Sequence, residues 1–219
     1  MLSIDFHIHT YYSADSLLSP RTLLQVAQKK NLDGVAVTDH DTTKGVYVLR
    51  KLVRKDNPFL IIPGVEIQTC EGELLLLFEI DLPPLKGTPY PPVAHVLDAA
   101  KEIDAVIALP HPFDRFRKGI HPRRLWKWID VIESFNSRVF LPSYNTKART
   151  FALQYGIPQI AGSDAHSPFE VGGARTMMQV NGDDLEEIRN CLIRGKTKID
   201  GRLSNPVYKV LGWVWKITR

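Results

Sequence analysis

Short apolar runs that end in His, Asp or Glu, alternating with helix-like stretches, constrain this 219-residue chain more than any other feature. The runs are "IDFHIH", "GVAVTDHD", "FLIIPGVEI", "ELLLLFEI", "AVIALPHP", "DVIESFN" and "PQIAGSDAH". Between the first two, "SPRTLLQVAQKKN" places Ser19 as an N-cap and Pro20 at the first helical position, then spaces Leu23, Leu24, Val26 and Ala27 as a helix does. Helices are predicted over about 43–55, 93–103, 122–128 and 145–155, and the last regular pair is "ARTMMQV" followed by "DDLEEIRNCLIRG". Parallel strands need crossover connections, which are usually helices, so the alternation argues for an α/β fold with a mostly parallel sheet or a barrel. No low-complexity stretch or linker interrupts it, and one domain is expected.

Composition narrows the class further. At 44% hydrophobic and 24% charged, the chain can bury a full core and is not expected to be disordered. A net charge of +4 suits an anionic substrate. Cys70 and Cys191 form no CxxC, so a reduced, cytoplasmic setting is expected. Neither a secretory leader nor an apolar run long enough to span a bilayer is read from the sequence.

The polar residues fall at informative places. His7 and His9, Asp39 and His40, Glu66, His111, Glu133 and Asn136, and Asp164 and His166 each lie at or just past the end of an apolar run. In a (β/α) barrel those ends meet on one face, which carries the active site. His7 and His9 are two apart, so in a strand they share a face. Imidazoles and carboxylates without thiolates suit zinc, manganese or iron. Two such ions would acidify a bridging water and neutralise charge on a phosphoryl oxygen, which points to phosphate ester hydrolysis. Asp39 is expected to stand behind a ligand imidazole and orient it.

The motifs "HIHTYYSAD", "VTDHD", "PGVEI", "LPHP" and "AGSDAH", in this order, resemble the metal-binding motifs of the PHP (polymerase and histidinol phosphatase) superfamily over about residues 4–173. The resemblance implies a distorted (β/α)7 TIM-like barrel with a two- or three-metal centre and phosphoester hydrolysis by a metal-activated water. It implies a barrel over 1–203, followed by an aromatic amphipathic tail over 204–219. Carried over by motif, His7, His9, Glu66 and Asp164 form a first metal site, with Glu66 able to bridge. Asp15, His40 and His166 form a second. A third would use Glu66, His111 and a histidine on the strand after Glu66. Leu74 stands at that position here, so the third site is expected to lack a ligand or to take one from Glu133 or His121.

Around this centre the sequence suggests substrate contacts. Arg115 and Arg117 follow His111 in the densest basic stretch, and Arg138 and Arg175 lie near strand ends; all four are candidates for holding phosphate. Phe113, Phe116 and Trp126 are candidates for stacking on a base. The expected substrate is a phosphorylated small molecule, a nucleotide or a nucleic-acid end. The alternatives are a barrel serving as a binding or scaffold module with a degraded metal site, and a metal-dependent hydrolase of C–N bonds. His95 is read as an ordinary helix residue. The tail "NPVYKVLGWVWKITR" has helical apolar spacing, and either packs on the barrel or makes a weak contact with a membrane surface or partner.

Overall fold

The computed structural model of the chain describes residues 1–81, 90–180 and 182–208. The β-branched and leucine-rich runs form strands β1 (Leu2–Ile8), β2 (Gly34–Val37), β3 (Leu60–Gln68), β4 (Glu73–Leu77), β5 (Val106–Leu109), β6 (Val131–Asn136), β7 (Gln159–Gly162), β8 (Ala174–Met178) and β9 (Thr197–Gly201). Helices α1 (Pro20–Lys29), α2 (Lys44–Leu52), α3 (Val93–Glu102), α4 (Pro142–Tyr155) and α5 (Leu185–Ile193) connect them. Ser19 caps α1 by accepting from Thr22 N, and Pro20 follows it, as predicted.

The strands form one sheet in the order β7-β6-β5-β4-β3-β2-β1-β8-β9. It curls until β1 meets the chain leaving β7: Asp164 N donates to His7 O at 2.7 Å, and His9 N donates to Ala165 O at 3.0 Å. The result is a nearly closed barrel. Two strands run against the others, β4 between β3 and β5 and β8 beside β1, while β9, antiparallel to β8, runs with the rest. One apolar layer fills the interior, with Phe6, Ala36, Ile62, Leu75, Leu77 and Ala108 packed together. Two outer layers lie under the helices.

Two sequence expectations need correction. The helix over 122–128 is a single 3-10 turn, Pro122–Arg124, because seven residues leading straight into β6 cannot repay helix nucleation. The pair at the end of the chain gains a further strand, β9, whose mostly exposed residues carry little apolar pattern. Residues 204–208 of the expected tail are described, with Tyr208 against Phe169; the rest of it, 209–219, lies outside the described residues. Among the described residues no helix is long and apolar enough to cross a membrane.

Candidate metal centre

A bulge in β1 sets up the site. Asp5 pairs with Val35 and Ile8 with Val37, so Phe6 and His7 both stand opposite Ala36. Strict alternation would leave His7 and His9 on the face opposite to Phe6; the extra residue resets the parity. Phe6 joins the interior core while His7 and His9 also face inward, toward Glu66. Asp5, on the other side, accepts from Ser163 N at 2.8 Å and Gly172 N at 2.9 Å, tying the loop after β7 to β1.

Around Glu66 the imidazoles converge. Its Oε2 lies 3.4 Å from His7 Nε2, 3.2 Å from His9 Nε2 and 3.2 Å from His40 Nδ1, yet no hydrogen bond satisfies this buried atom. Asp164 Oδ1 is likewise buried without a hydrogen bond, 3.5 Å from both His9 Nε2 and His166 Nδ1. Ligands about 2.1 Å from one ion, at angles between square and tetrahedral, stand about 3.0 to 3.4 Å apart. The His7 Nε2 to His9 Nε2 distance of 3.0 Å falls in that range. Among the described residues three groups are close enough to hold an ion: His9, His40 and His166; His7, His9 and Glu66; and Glu66, Glu73 and His111. Asp15 joins the first, 3.4 Å from His40 Nε2 and 3.5 Å from His166 Nε2.

Partners behind the rings aim them. His7 Nδ1 lies 3.1 Å from Glu133 Oε1, His9 Nδ1 3.2 Å from Ser13 Oγ, and His166 Nδ1 2.9 Å from Asp164 O. Each contact fixes one nitrogen and leaves Nε2 toward the cluster. Asp39 acts one step further back. Its carboxylate accepts from Thr10 N, Thr10 Oγ1 and Ser13 Oγ, and Ser13 Oγ in turn accepts from His40 N at 2.9 Å. Two cluster residues have strained backbones, with φ of 29° at His111 and 54° at Asp164, at a cost of roughly 1–3 kcal/mol each.

The electrostatics match a cation site. Burial alone would raise the Glu66 carboxyl, but the facing His7 and His40 imidazoles hold it well below the usual carboxylate range. Burial likewise opposes ionisation of Asp164, and Arg117 and His7 overcome it. Burial, with His166 and His40 alongside, pushes His9 down to about 3, which keeps its ring neutral and ready to ligate. The donor set, its burial and its orphaned carboxylate oxygens therefore fit divalent metal ions.

The sequence missed Glu73. Across the β3–β4 pair Glu66 opposes Leu75 and Gln68 opposes Glu73, so Glu66, Leu75 and Glu73 share one face. Leu74 points to the other face, into the layer beneath α3 with Ile67 and Val96. Glu73 Oε2 lies 3.5 Å from His111 Nε2, whose other neighbour is Glu66 Oε1 at 3.2 Å. Burial and the nearby Glu66 raise the Glu73 carboxyl. Glu133 is occupied behind His7 and accepts from His111 N at 2.7 Å, while His121 is exposed with its ring against Phe113.

The four arginines separate. Arg117 reaches in to contact Asp164 Oδ2 and lies 3.4 Å from Asn136 Oδ1. Arg138 is buried, paired with Glu170 at 3.3 Å and 3.5 Å from Asp164 O. Arg115, two residues before Arg117, is exposed, whereas Arg175 turns to Gly172 O and to Ser3 Oγ at the start of β1. Phe113 and Trp126 are half-buried against Phe151 and Tyr155, and His95 is exposed on α3.

Comparisons with known proteins indicate the chain's relatives. A family model described as PHP-associated matches residues 142–197. An uncharacterised protein of Methanocaldococcus jannaschii is 35% identical over 181 residues, covering 79% of this chain and 69% of its own length. The 5'-3' exoribonuclease Rnm of Salmonella typhimurium is 42% identical over 66 residues, 30% of this chain and 22% of that enzyme. Among solved structures, a two-domain protein from Bacteroides vulgatus containing a predicted PHP-like metal-dependent phosphoesterase superposes with a TM-score of 0.76 at 22% identity. That match covers 92% of this chain, which spans 65% of the other.

Proposed function

The chain belongs to the PHP superfamily, and on that premise we propose that it hydrolyses phosphate esters with divalent ions held by His7, His9, Asp15, His40, Glu66, His111, Asp164 and His166. The observation that carries the reading is Glu66 Oε2, buried among three imidazoles and hydrogen-bonded to none. Glu66 belongs to two of the candidate groups and would serve both, and Glu73 would complete the third with Glu66 and His111. Ions there would supply an acidified water as nucleophile and offset charge on the phosphoryl oxygens.

The chain's own residues then do the rest. Glu133 and Ser13 hold the His7 and His9 rings, so their Nε2 atoms stay aimed without further ordering. Arg117, already against Asp164 Oδ2, is the phosphate-binding arginine best supported by geometry, and the exposed Arg115 precedes it by two residues. Arg138 positions the Asp164 loop through its pairing with Glu170, and Arg175 braces the turn at Gly172. A degraded scaffold site loses its main support, since Leu74 faces the core and Glu73 takes the place beside His111.

Manganese-reconstituted protein should hydrolyse a phosphomonoester or a phosphodiester, and the preferred ester separates a phosphatase from a nuclease. Chelator should abolish turnover, and His40→Ala should lower it by about 100-fold or more. Turnover that survives chelator would sink the reading. A second measurement concerns Glu73: elemental analysis of Glu73→Ala should find one bound ion fewer than in the unaltered protein. An unchanged count would reduce Glu73 to a hydrogen-bond partner of His111.

A further inference from the structure

Of nine phenylalanines, six are buried or half-buried and three, Phe116, Phe140 and Phe169, are 67%, 62% and 65% exposed. The exposed three do not scatter. Phe116 precedes Arg117, which touches Asp164; Phe140 follows the Arg138 that reaches Asp164 O; Phe169 comes three residues after His166. All stand on loops that leave the strand ends carrying the metal cluster.

Two of these rings are held as a pair. Phe116 and Phe140 have ring centroids 4.7 Å apart, and both of their backbone N–H groups donate to the buried Asp114 carboxylate, at 3.1 and 3.0 Å. One acid thus fixes the positions of two solvent-facing rings from different loops. Phe169 stacks on Tyr208 with centroids 5.0 Å apart and planes 9° from parallel. Exposed, preordered aromatic rings beside cations are what sequence-tolerant recognition of unpaired bases requires. The cations are present: between Asp114 and Asp130 the chain carries Arg115, Arg117, Lys118, Arg123, Arg124 and Lys127, with no Asp or Glu.

We propose that this rim is a stacking platform for the bases of a single-stranded nucleic-acid end, whose phosphate is directed to the metal cluster. The inference rests on the phosphoesterase reading and narrows its substrate. A small phosphorylated metabolite lacking an aromatic ring has no use for the paired phenylalanines, and the run of six cations favours a polyanion over an apolar protein partner.

Fluorescence anisotropy of a labelled single-stranded pentanucleotide with a hydrolysis-resistant phosphorothioate backbone, titrated with metal-loaded protein, tests it directly. The double variant Phe116→Ala/Phe140→Ala should bind about tenfold or more weakly, with its circular dichroism unchanged. The double variant to leucine keeps apolar area but offers no ring, and should bind nearly as poorly. Leucine restoring full affinity would overturn the stacking proposal, as would failure of the unaltered protein to bind the strand. The readout needs no turnover, so a protein that binds the strand in this way yet hydrolyses no ester would sink the proposed function alone.

Discussion

Glu66→Gln should lower phosphoester hydrolysis on the order of 1000-fold and remove bound metal with it. The substitution is nearly isosteric, so packing around β3 is kept and the loss is one of charge and ligation. Among the described residues no other carboxylate is so placed: one Glu66 oxygen is within 3.4 Å of His7, His9 and His40, and the other is 3.2 Å from His111. An amide offers one oxygen and turns two N–H donors toward nitrogens whose lone pairs must face an ion. The competing account makes Glu66 a counter-ion that keeps His7 and His40 charged. Under that account the variant would melt at a lower temperature in chelator but retain its metal content, because the other ligands remain. Elemental analysis and a melting curve on the same preparation separate the two.

Much of this centre was legible because strand ends carry it. His7 and His9 two apart, "TDHD" after one apolar run and "GSDAH" after another, need only the barrel's geometry to converge. What sequence did not reveal was parity and direction. The β1 bulge is invisible in "IDFHIH", where strict alternation sets both histidines opposite Phe6. In "GELLLLF", four successive leucines hide the pleat, and nothing says that β4 runs antiparallel. A reversed strand offers its beginning to the site, so the first residue of β4, Glu73, arrives beside His111 while Leu74 turns away. Arg115 and Arg117 were legible as part of a charge run and Arg138 and Arg175 as residues near strand ends, but not what each one faces: Arg117 turns to Asp164 and Arg175 to Gly172 O. Phe140 was passed over because exposure is a tertiary property, fixed here by Asp114 from another loop.

Gly162→Ala should be the most destabilising single-methyl change in the barrel. A Cβ at Gly162 would stand 2.2 Å from His7 Cβ, 2.6 Å from Glu133 Oε1 and 2.9 Å from His7 N. Two of those atoms belong to β1 itself, so the clash cannot be relieved by rotating a flexible side chain. Overpacking of this kind costs about 3 kcal/mol or more, and roughly 10 °C in melting temperature for a chain of this size. The damage is also functional, because β7 meets β1 where Asp164 N donates to His7 O and closes the barrel. Forcing the strands apart moves His7 away from Glu133 and Asp164 away from His9, so metal content should fall even at temperatures where the variant is folded. Gly156→Ala supplies the comparison: its φ of 64° strains any side chain, but nothing lies within 4 Å of the new Cβ. That change should cost about 1 kcal/mol and leave metal binding intact. If the two variants melt alike, the close approach of β7 to His7 on β1 is not what holds the barrel closed.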